Sequence, residues 1–294
     1  MKKFWTIAIC AMLLGAVAFA AVGCNKGAGD TINVFSREDG SGTRSAFTEL
    51  TGVLVEGEDG TETDMTFSGA SFQNSTNAIM TAVAQDKNAI GYVSFGSLNE
   101  TVKAVAVNGI VPSVDTIKDK SYELQRPFNI AYKQSNIDSK PLAADFLAFL
   151  GSAEAQEVIA VEKYIATDDN APAYVKGSDL TGTITIGGSS SVSPLMEKLI
   201  EKYCALSGVA KTSIELQTID STAGMNGAIE GTFDIGMASR DVKDTELAQG
   251  ITAEVLAYDG IAVIVNNDNA VEDLTMEQIR QIFTGAVREW SAIA

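Results

Sequence analysis

The 294-residue chain has no histidine and only three cysteines. Without imidazole it lacks the usual general base, the usual metal ligand and the usual physiological pH switch. Most hydrolase mechanisms thereby lose their base. Cys10 lies in an apolar N-terminal run, Cys24 follows that run and Cys204 stands alone in a helical pattern. No disulfide framework and no cysteine-rich metal site can be assembled from them, and neither metal nor cofactor is expected. Positive charge is also scarce: 21 basic side chains face 38 acidic ones, a formal charge of -17. Nucleic acid and anionic membrane surfaces both require a basic footprint, so neither is a partner through charge. An anionic ligand would have to be captured by local geometry.

The N-terminus is richly marked. Met1-Lys2-Lys3 is a basic start, Phe4 to Val22 is apolar, and Ala21-Val22-Gly23-Cys24 leads into the polar stretch from Asn25 to Asp30. This order predicts a signal peptide over 1–23 and a tether over 24–30. The small residues before Cys24 resemble a bacterial lipobox, with alanine rather than leucine three places ahead of the cysteine. That resemblance implies cleavage before Cys24, lipid on its sulfur and a location on the extracytoplasmic face of the cell membrane. An uncleaved transmembrane anchor is the alternative, since the apolar run is just long enough to span a bilayer. Loss of Lys2 and Lys3 with the signal would take the formal charge from -17 to -19.

Beyond the tether, strand-like and helix-like signals alternate, which predicts an α/β architecture. Strands are expected near 31–35, 89–94, 103–107, 127–133, 183–187, 212–218, 233–238 and 260–266. Helices are expected near 43–50, 75–85, 139–150, 153–161, 192–206, 222–230 and 275–283. Gly52 to Thr63, rich in acids and glycine, reads as a solvated loop. Asp168 to Asp179, with Pro172 and Gly177, reads as a linker. With 46% hydrophobic residues, a chain of this length fits two medium lobes.

Four segments carry the candidate chemistry. In Arg37-Glu38-Asp39-Gly40-Ser41-Gly42-Thr43-Arg44 small and hydroxyl-bearing residues sit between two arginines, where a strand turns into a helix. Free N–H groups of the first helical turn, the helix dipole and the Ser41 and Thr43 hydroxyls can converge there on an oxyanion. A similar turn recurs at Gly187-Gly188-Ser189-Ser190-Ser191, again ahead of a helix. Asp220-Ser221-Thr222-Ala223-Gly224 and Ile235-Gly236-Met237-Ala238-Ser239-Arg240-Asp241 end two further strands. Each turn alone reads equally well as a helix cap or a surface salt bridge. Together they predict one cradle in each lobe, facing a shared cleft.

Carrying these four segments, the chain resembles the phosphate-binding proteins of ABC transporters, the class II solute-binding family. Leu274 to Trp290 adds to the resemblance, and Ala89-Ile90-Gly91-Tyr92-Val93 and Arg126-Pro127-Phe128 match more weakly. The family order is exchanged, since the segment resembling 181–294 comes first in the family and that resembling 31–170 second. The resemblance therefore implies a two-lobed class II periplasmic-binding-protein fold, α/β, circularly permuted, with the ligand cleft between the lobes. The expected division is lobe B over 31–102, lobe A over 103–170 and 181–270, and a crossover helix over 271–294. A linker over 171–180 would join the family's original termini. Two half-proteins needing a partner chain are the alternative arrangement.

The resemblance also assigns roles. Arg37, Ser41, Gly42 and Thr43 would hold phosphate from one lobe, and Ser190, Ser191 and Ser221 from the other, with Ser189 in support. Asp39 would hold Arg37 in place. Many family members have an aspartate at the position of Arg240 that accepts the proton of hydrogen phosphate; Arg240 cannot accept one. Asp241 or another carboxylate would take that role, or selectivity would rest elsewhere. Partners implied are inorganic phosphate or a related oxyanion, an ABC permease, and the membrane through lipid on Cys24, with the protein a monomer. A surface sensor or adhesin uses the same features. A serine hydrolase acting through Ser41 or Ser190 does not fit, because the chain lacks a histidine base, a Ser-x-x-Lys pair and a Gly-x-Ser-x-Gly elbow.

Overall fold

The computed structural model describes residues 30–57 and 60–293. The expected signal peptide and the lipidation site at Cys24 lie outside the described residues. Among those described, no helix is long and apolar enough to cross a membrane.

One nine-stranded sheet runs through the molecule. Its main strands are β1 (Asn33–Arg37), β2 (Ser71–Gln73), β3 (Ala89–Ser94), β4 (Gln125–Tyr132), β5 (Ile184–Ser189), β6 (Ile214–Ile219), β7 (Ile235–Ala238) and β8 (Thr252–Val265). Their spatial order is β6-β5-β7-β4-β8-β3-β1-β2, and the ninth strand, Lys103–Ala104, pairs with β8. The helices that cover it are α1 (Gly42–Leu50), α2 (Thr76–Ala84), α3 (Pro141–Leu150), α4 (Ala153–Val161), α5 (Ser193–Ser207), α6 (Ser221–Glu230) and α7 (Met276–Phe283). Every expected helix is present, with ends shifted by a residue or two.

The strands of lobe B are apolar on both faces because helices cover both. Ile90 and Tyr92 of β3, with Ile261, Val263 and Val265 of β8, face a core containing Phe47, Ile279 and Phe283. Ala89, Val93, Ala262 and Ile264 face the opposite side, against Ile79, Met80 and Val83 of α2. Phe47 stacks on Tyr92 with ring centres 3.9 Å apart, and Phe283 meets Phe47 edge-on at 4.7 Å. Truncating a ring so enclosed costs about 3–5 kcal/mol. Lobe A has its own core, in which Phe146, Phe149 and Tyr203 of α3 and α5 pack over Phe128, Ile186 and Ile235.

The cores divide the chain differently from the expected boundaries at 102/103 and 270/271. Val105, Val107, Ile117, Tyr122 and Leu124 pack in lobe B, so lobe A begins with β4. The long strand β8 belongs to both lobes. Its Leu256 and Ala257 enter the lobe A core, whereas Ile261 onward enters lobe B. It pairs with β4 from Thr252 to Gly260 and with β3 from Ile261 to Val265, crossing between lobes near Gly260.

The loop expected over 52–63 contains a short hairpin, Leu54–Glu56 against Glu62–Asp64. The stretch 168–179 has no regular structure and is tied down by Asp145. The Asp145 carboxylate accepts hydrogen bonds from Tyr174 (2.5 Å), Tyr203 (2.7 Å) and the Gly177 N–H (2.6 Å). At the far end of lobe B, Ile32 N–H donates to the Arg288 carbonyl at 2.8 Å and Trp290 N–H to that of Asp30 at 3.0 Å.

Candidate functional site

The lobe B jaw forms where β1 ends and α1 begins. Ser36 and Arg37 close the strand, and both anchor on Tyr92: the Ser36 hydroxyl is 2.8 Å from the Tyr92 hydroxyl, which also accepts the Arg37 N–H at 3.1 Å. Burial raises the Tyr92 pKa, so the ring stays a neutral phenol able to serve both partners. Ser41 caps α1 by accepting the Arg44 N–H at 3.3 Å. Capping leaves the next residues, Gly42 and Thr43, buried and turned toward lobe A.

The Arg37 side chain is 2% exposed. Its Nε and Nη2 donate to the two Glu38 carboxylate oxygens, each at 2.8 Å. Nη2 also donates across the cleft to Ser190 Oγ at 3.0 Å. Nη1 has no hydrogen-bond partner among the described residues.

The lobe A jaw gathers three strand ends. Ser189 closes β5, Ser190 and Ser191 form the turn into α5, Ser221 opens α6, and Ser239 follows β7. Ser239 is the hub of this jaw. Its hydroxyl lies 2.9 Å from Ser189 Oγ and 3.4 Å from Ser221 Oγ, and its N–H donates to Ser221 Oγ at 3.1 Å. The Ser191 N–H donates to Ser189 Oγ at 3.2 Å. Asp220 caps α6 by accepting the Ala223 N–H at 2.8 Å.

The jaws touch. Thr43 Oγ1 lies 2.9 Å from Ser191 Oγ and 3.5 Å from Ser239 Oγ. Thr76 Oγ1, at the start of α2, lies 3.1 Å from Ser191 Oγ. The Thr222 N–H and hydroxyl donate to the Gly40 carbonyl at 3.1 and 3.2 Å. Gly42 is required by this approach: a Cβ there would lie 2.3 Å from Ser221 Oγ and 2.9 Å from Ser221 Cβ. A side chain would hold the lobes apart.

The structure thus brings Arg37, Gly42, Thr43, Ser190, Ser191 and Ser221 into one buried cluster, with Ser41 capping beside it and Ser189 behind. Asp39 is elsewhere. Its side chain is 98% exposed and pairs with Arg44 at 2.6 Å, so Glu38, not Asp39, holds Arg37. Glu38 follows the strand end directly and lies alongside Arg37, whereas Asp39 sits in the exposed turn ahead of Gly40, whose φ is +86°.

Arg240 and Asp241 also stand apart from the cluster. Two nitrogens of the Arg240 guanidinium donate to Glu246 at 2.7 and 2.9 Å, and one reaches the Asp241 carbonyl at 2.9 Å. Burial pushes the Glu246 carboxyl up, but the Arg240 guanidinium and the Lys243 N–H outweigh it, and the net pKa is lowered. Asp241 is exposed. Neither residue presents an acceptor to the hydroxyls.

Sequence reasoning missed Glu38, Thr76, Ser239 and Arg126 as site residues. Arg126 lies beneath the cluster, donating to the Ser239 carbonyl at 3.1 Å and to Asp259 at 3.1 Å in a fully buried pair. Burial lowers the arginine's pKa and raises the aspartate's, each opposed by the other's charge. The sequence signals were faint: Ser239 and Arg126 lay in segments already noted for other reasons, and Glu38 stood beside the carboxylate preferred to it. Two cavities flank the cluster. One of about 430 Å³ is lined by Ser41, Arg44, Arg240 and Asp241, the other of about 390 Å³ by Thr76, Ser97, Ser190 and Thr218.

Two cores joined by the shared strand β8, with a cleft whose hydrogen-bonding groups come from both lobes, define a two-lobed solute-binding protein of the periplasmic-binding-protein type. A family model described as the PBP superfamily domain matches residues 18–154 and 175–293, and the chain belongs to that family. Over the full length of both chains it is 41% identical to Phosphate-binding protein PstS 2 of Streptococcus agalactiae. It is 41% identical to a crystal structure of a phosphate-binding protein of a phosphate ABC transporter from Streptococcus pneumoniae, with TM-score 0.69, covering 90% of this chain and 100% of that one. Phosphate-binding protein PstS of Pseudomonas aeruginosa is 32% identical over 126 residues, 40% of this chain and 38% of that protein. These relatives are named as binding proteins, in agreement with the expectation that the chain is not an enzyme.

Proposed function

We propose that this protein binds inorganic phosphate between its lobes and delivers it to the permease of an ABC transporter. The observation that carries the reading is the pairing of Arg37 with Ser190 and of Thr43 with Ser191 across the cleft, at 3.0 and 2.9 Å. A tetrahedral dianion offers many acceptor lone pairs, and a ring of N–H and O–H donors can replace its hydration shell almost group for group. Arg37 adds one charge with a planar fork that lysine lacks. Ligand contacts drawn from both lobes favour closure, as a population shift. The closed shape is then what the permease recognises. The PstS 2 relatives over the whole chain support phosphate as the ligand.

The same proposal covers three finer points. Cys24 carries the lipid that holds the protein, as a monomer, on the extracytoplasmic face. The binding residues are Arg37, Ser41, Gly42 and Thr43 with Ser190, Ser191 and Ser221. The chain order is a circular permutation. Supporting the last point, segments 30–32 and 288–290 are hydrogen-bonded neighbours, and the Pseudomonas relative aligns over only 40% of the chain. A chain relinked between those segments and opened near 175 should then fold and bind.

A second reading keeps the fold and changes the ligand to another oxyanion, because Arg240 is engaged by Glu246 and, among the described residues, no free carboxylate meets the hydroxyls. Calorimetric titration of the mature protein with phosphate and then sulfate decides between them. Phosphate binding well below millimolar, with sulfate much weaker, is expected. Tighter sulfate binding would favour the second reading, and no heat with either anion below about 1 mM would refute both. Mass spectrometry of the mature protein, with Cys24→Ala as control, tests the lipid.

A further inference from the structure

We propose that Thr76 is a positioning residue of this cleft, which orients the single proton of Ser191 toward the bound anion and latches the closed lobes; the inference rests on the cluster being the phosphate cradle. Thr76 is the first residue of α2 and only 4% exposed. A threonine at a helix start ordinarily serves as a cap. Here that work is done by Ser75, whose side chain accepts the Ala78 N–H at 3.2 Å. Among the described residues the Thr76 hydroxyl has one hydrogen-bond partner, Ser191 Oγ at 3.1 Å, on the other lobe.

Hydrogen counting then assigns the direction. A hydroxyl has one proton to give and two lone pairs. Ser191 Oγ has two hydroxyl neighbours from lobe B, Thr76 and Thr43. Thr43 and Ser191 must each spend their proton on the anion if both are to bind it. Ser191 therefore needs a donor behind it, and Thr76 is the group with no competing use. When Thr76 donates, one Ser191 lone pair is occupied and its proton is left free for the anion. Because Thr76 and Ser191 belong to different lobes, the bond exists only when the cleft is closed. Losing it should act on ligand release more than on capture.

The test compares wild type, Thr76→Val and Thr76→Ser by calorimetric titration with inorganic phosphate, by stopped-flow release and by thermal melting without phosphate. Valine keeps the shape and removes the donor. Its phosphate Kd should rise about tenfold, the size of one hydrogen bond, mainly through faster release. The serine variant should bind within about twofold of wild type. All three phosphate-free proteins should melt alike, which separates positioning from folding. Wild-type affinity in Thr76→Val overturns the inference, as does a serine variant as weak as the valine one, since the methyl group would then be what matters. If wild type itself binds no phosphate, it is the phosphate reading that fails, and that outcome is seen before any variant is compared.

Discussion

Replacing Arg37 with methionine is the most informative perturbation of the cleft. The guanidinium is held by Glu38 through two bonds of 2.8 Å and reaches Ser190 across the cleft, so its removal acts twice. First, the dianion loses its nearest cation. At about 4 Å and an effective dielectric near 20, a unit charge pair is worth about 4 kcal/mol, and side-chain relaxation will recover part of that. Second, Glu38, 24% exposed, is left as an unpaired carboxylate facing the anion. A net loss of about 3–4 kcal/mol corresponds to a Kd raised by 10²–10³. Adding Glu38→Gln should restore about 1 kcal/mol, roughly fivefold, because the repulsion disappears while the missing cation does not return. Arg37→Lys should fall between, keeping charge but losing the fork. Titration calorimetry on wild type, Arg37→Met, Glu38→Gln and the double variant closes the cycle, with Arg37→Lys measured beside it. If Arg37→Met binds phosphate within threefold of wild type, Arg37 does not face the ligand and the cradle has been misplaced.

Gly42→Ala should leave the phosphate-free melting temperature unchanged yet weaken phosphate binding at least a hundredfold, since the new Cβ meets Ser221 only on closure; X-ray scattering should show no compaction on adding phosphate. The Arg240–Glu246 pair should appear in the acid limb of stability. The folded carboxyl is depressed, so its contribution is present above the ordinary glutamate range and fades as pH falls through the lowered value. Glu246→Gln should therefore cost about 2 kcal/mol at pH 7, and denaturant melts of the two proteins should converge only once the pH has fallen below the depressed Glu246 value. Asp145→Ala should strand the Tyr174 and Tyr203 hydroxyls and destabilise lobe A by about 2–4 kcal/mol, with proteolysis near Lys176 reporting release of the 168–179 segment.

The strand-turn-helix units were legible in the sequence because everything that makes them is local. Thr31 to Phe35 is β-branched and aromatic, Gly40 permits the turn, Ser41 caps the helix, and Ala46, Phe47 and Leu50 repeat at helical spacing. The same holds for Gly187 to Ser193 and for Asp220 to Gly224. Strand β8 was only half legible. Its second part, Ile261–Val265, is uniformly apolar, whereas Thr252–Asp259 carries Glu254 and Asp259 and lies outside the strand expected at 260–266. The ladder to β4 and the buried Arg126 opposite Asp259 make it a strand, and both partners lie more than a hundred residues away.

The sequence by itself determined the α/β class and the two Gly/Ser turns at helix starts, since capping, turn formation and periodicity act within a few residues; the burial of Arg37 came with the closing of the lobes around it. Tertiary structure alone decided which groups meet. Glu38 rather than Asp39 grips Arg37, because in the folded turn Asp39 is left in solvent beside Arg44. Arg240 is taken by Glu246 because a short helix, Asp244–Leu247, presents the carboxylate to it. Thr76 and Ser239 join the cluster because α2 begins and β7 ends at the same point of the cleft. A hydroxyl carries no mark in sequence that tells whether it caps a helix or faces a partner 115 residues away, and Thr76 and Ser191 are paired only by the closing of two lobes.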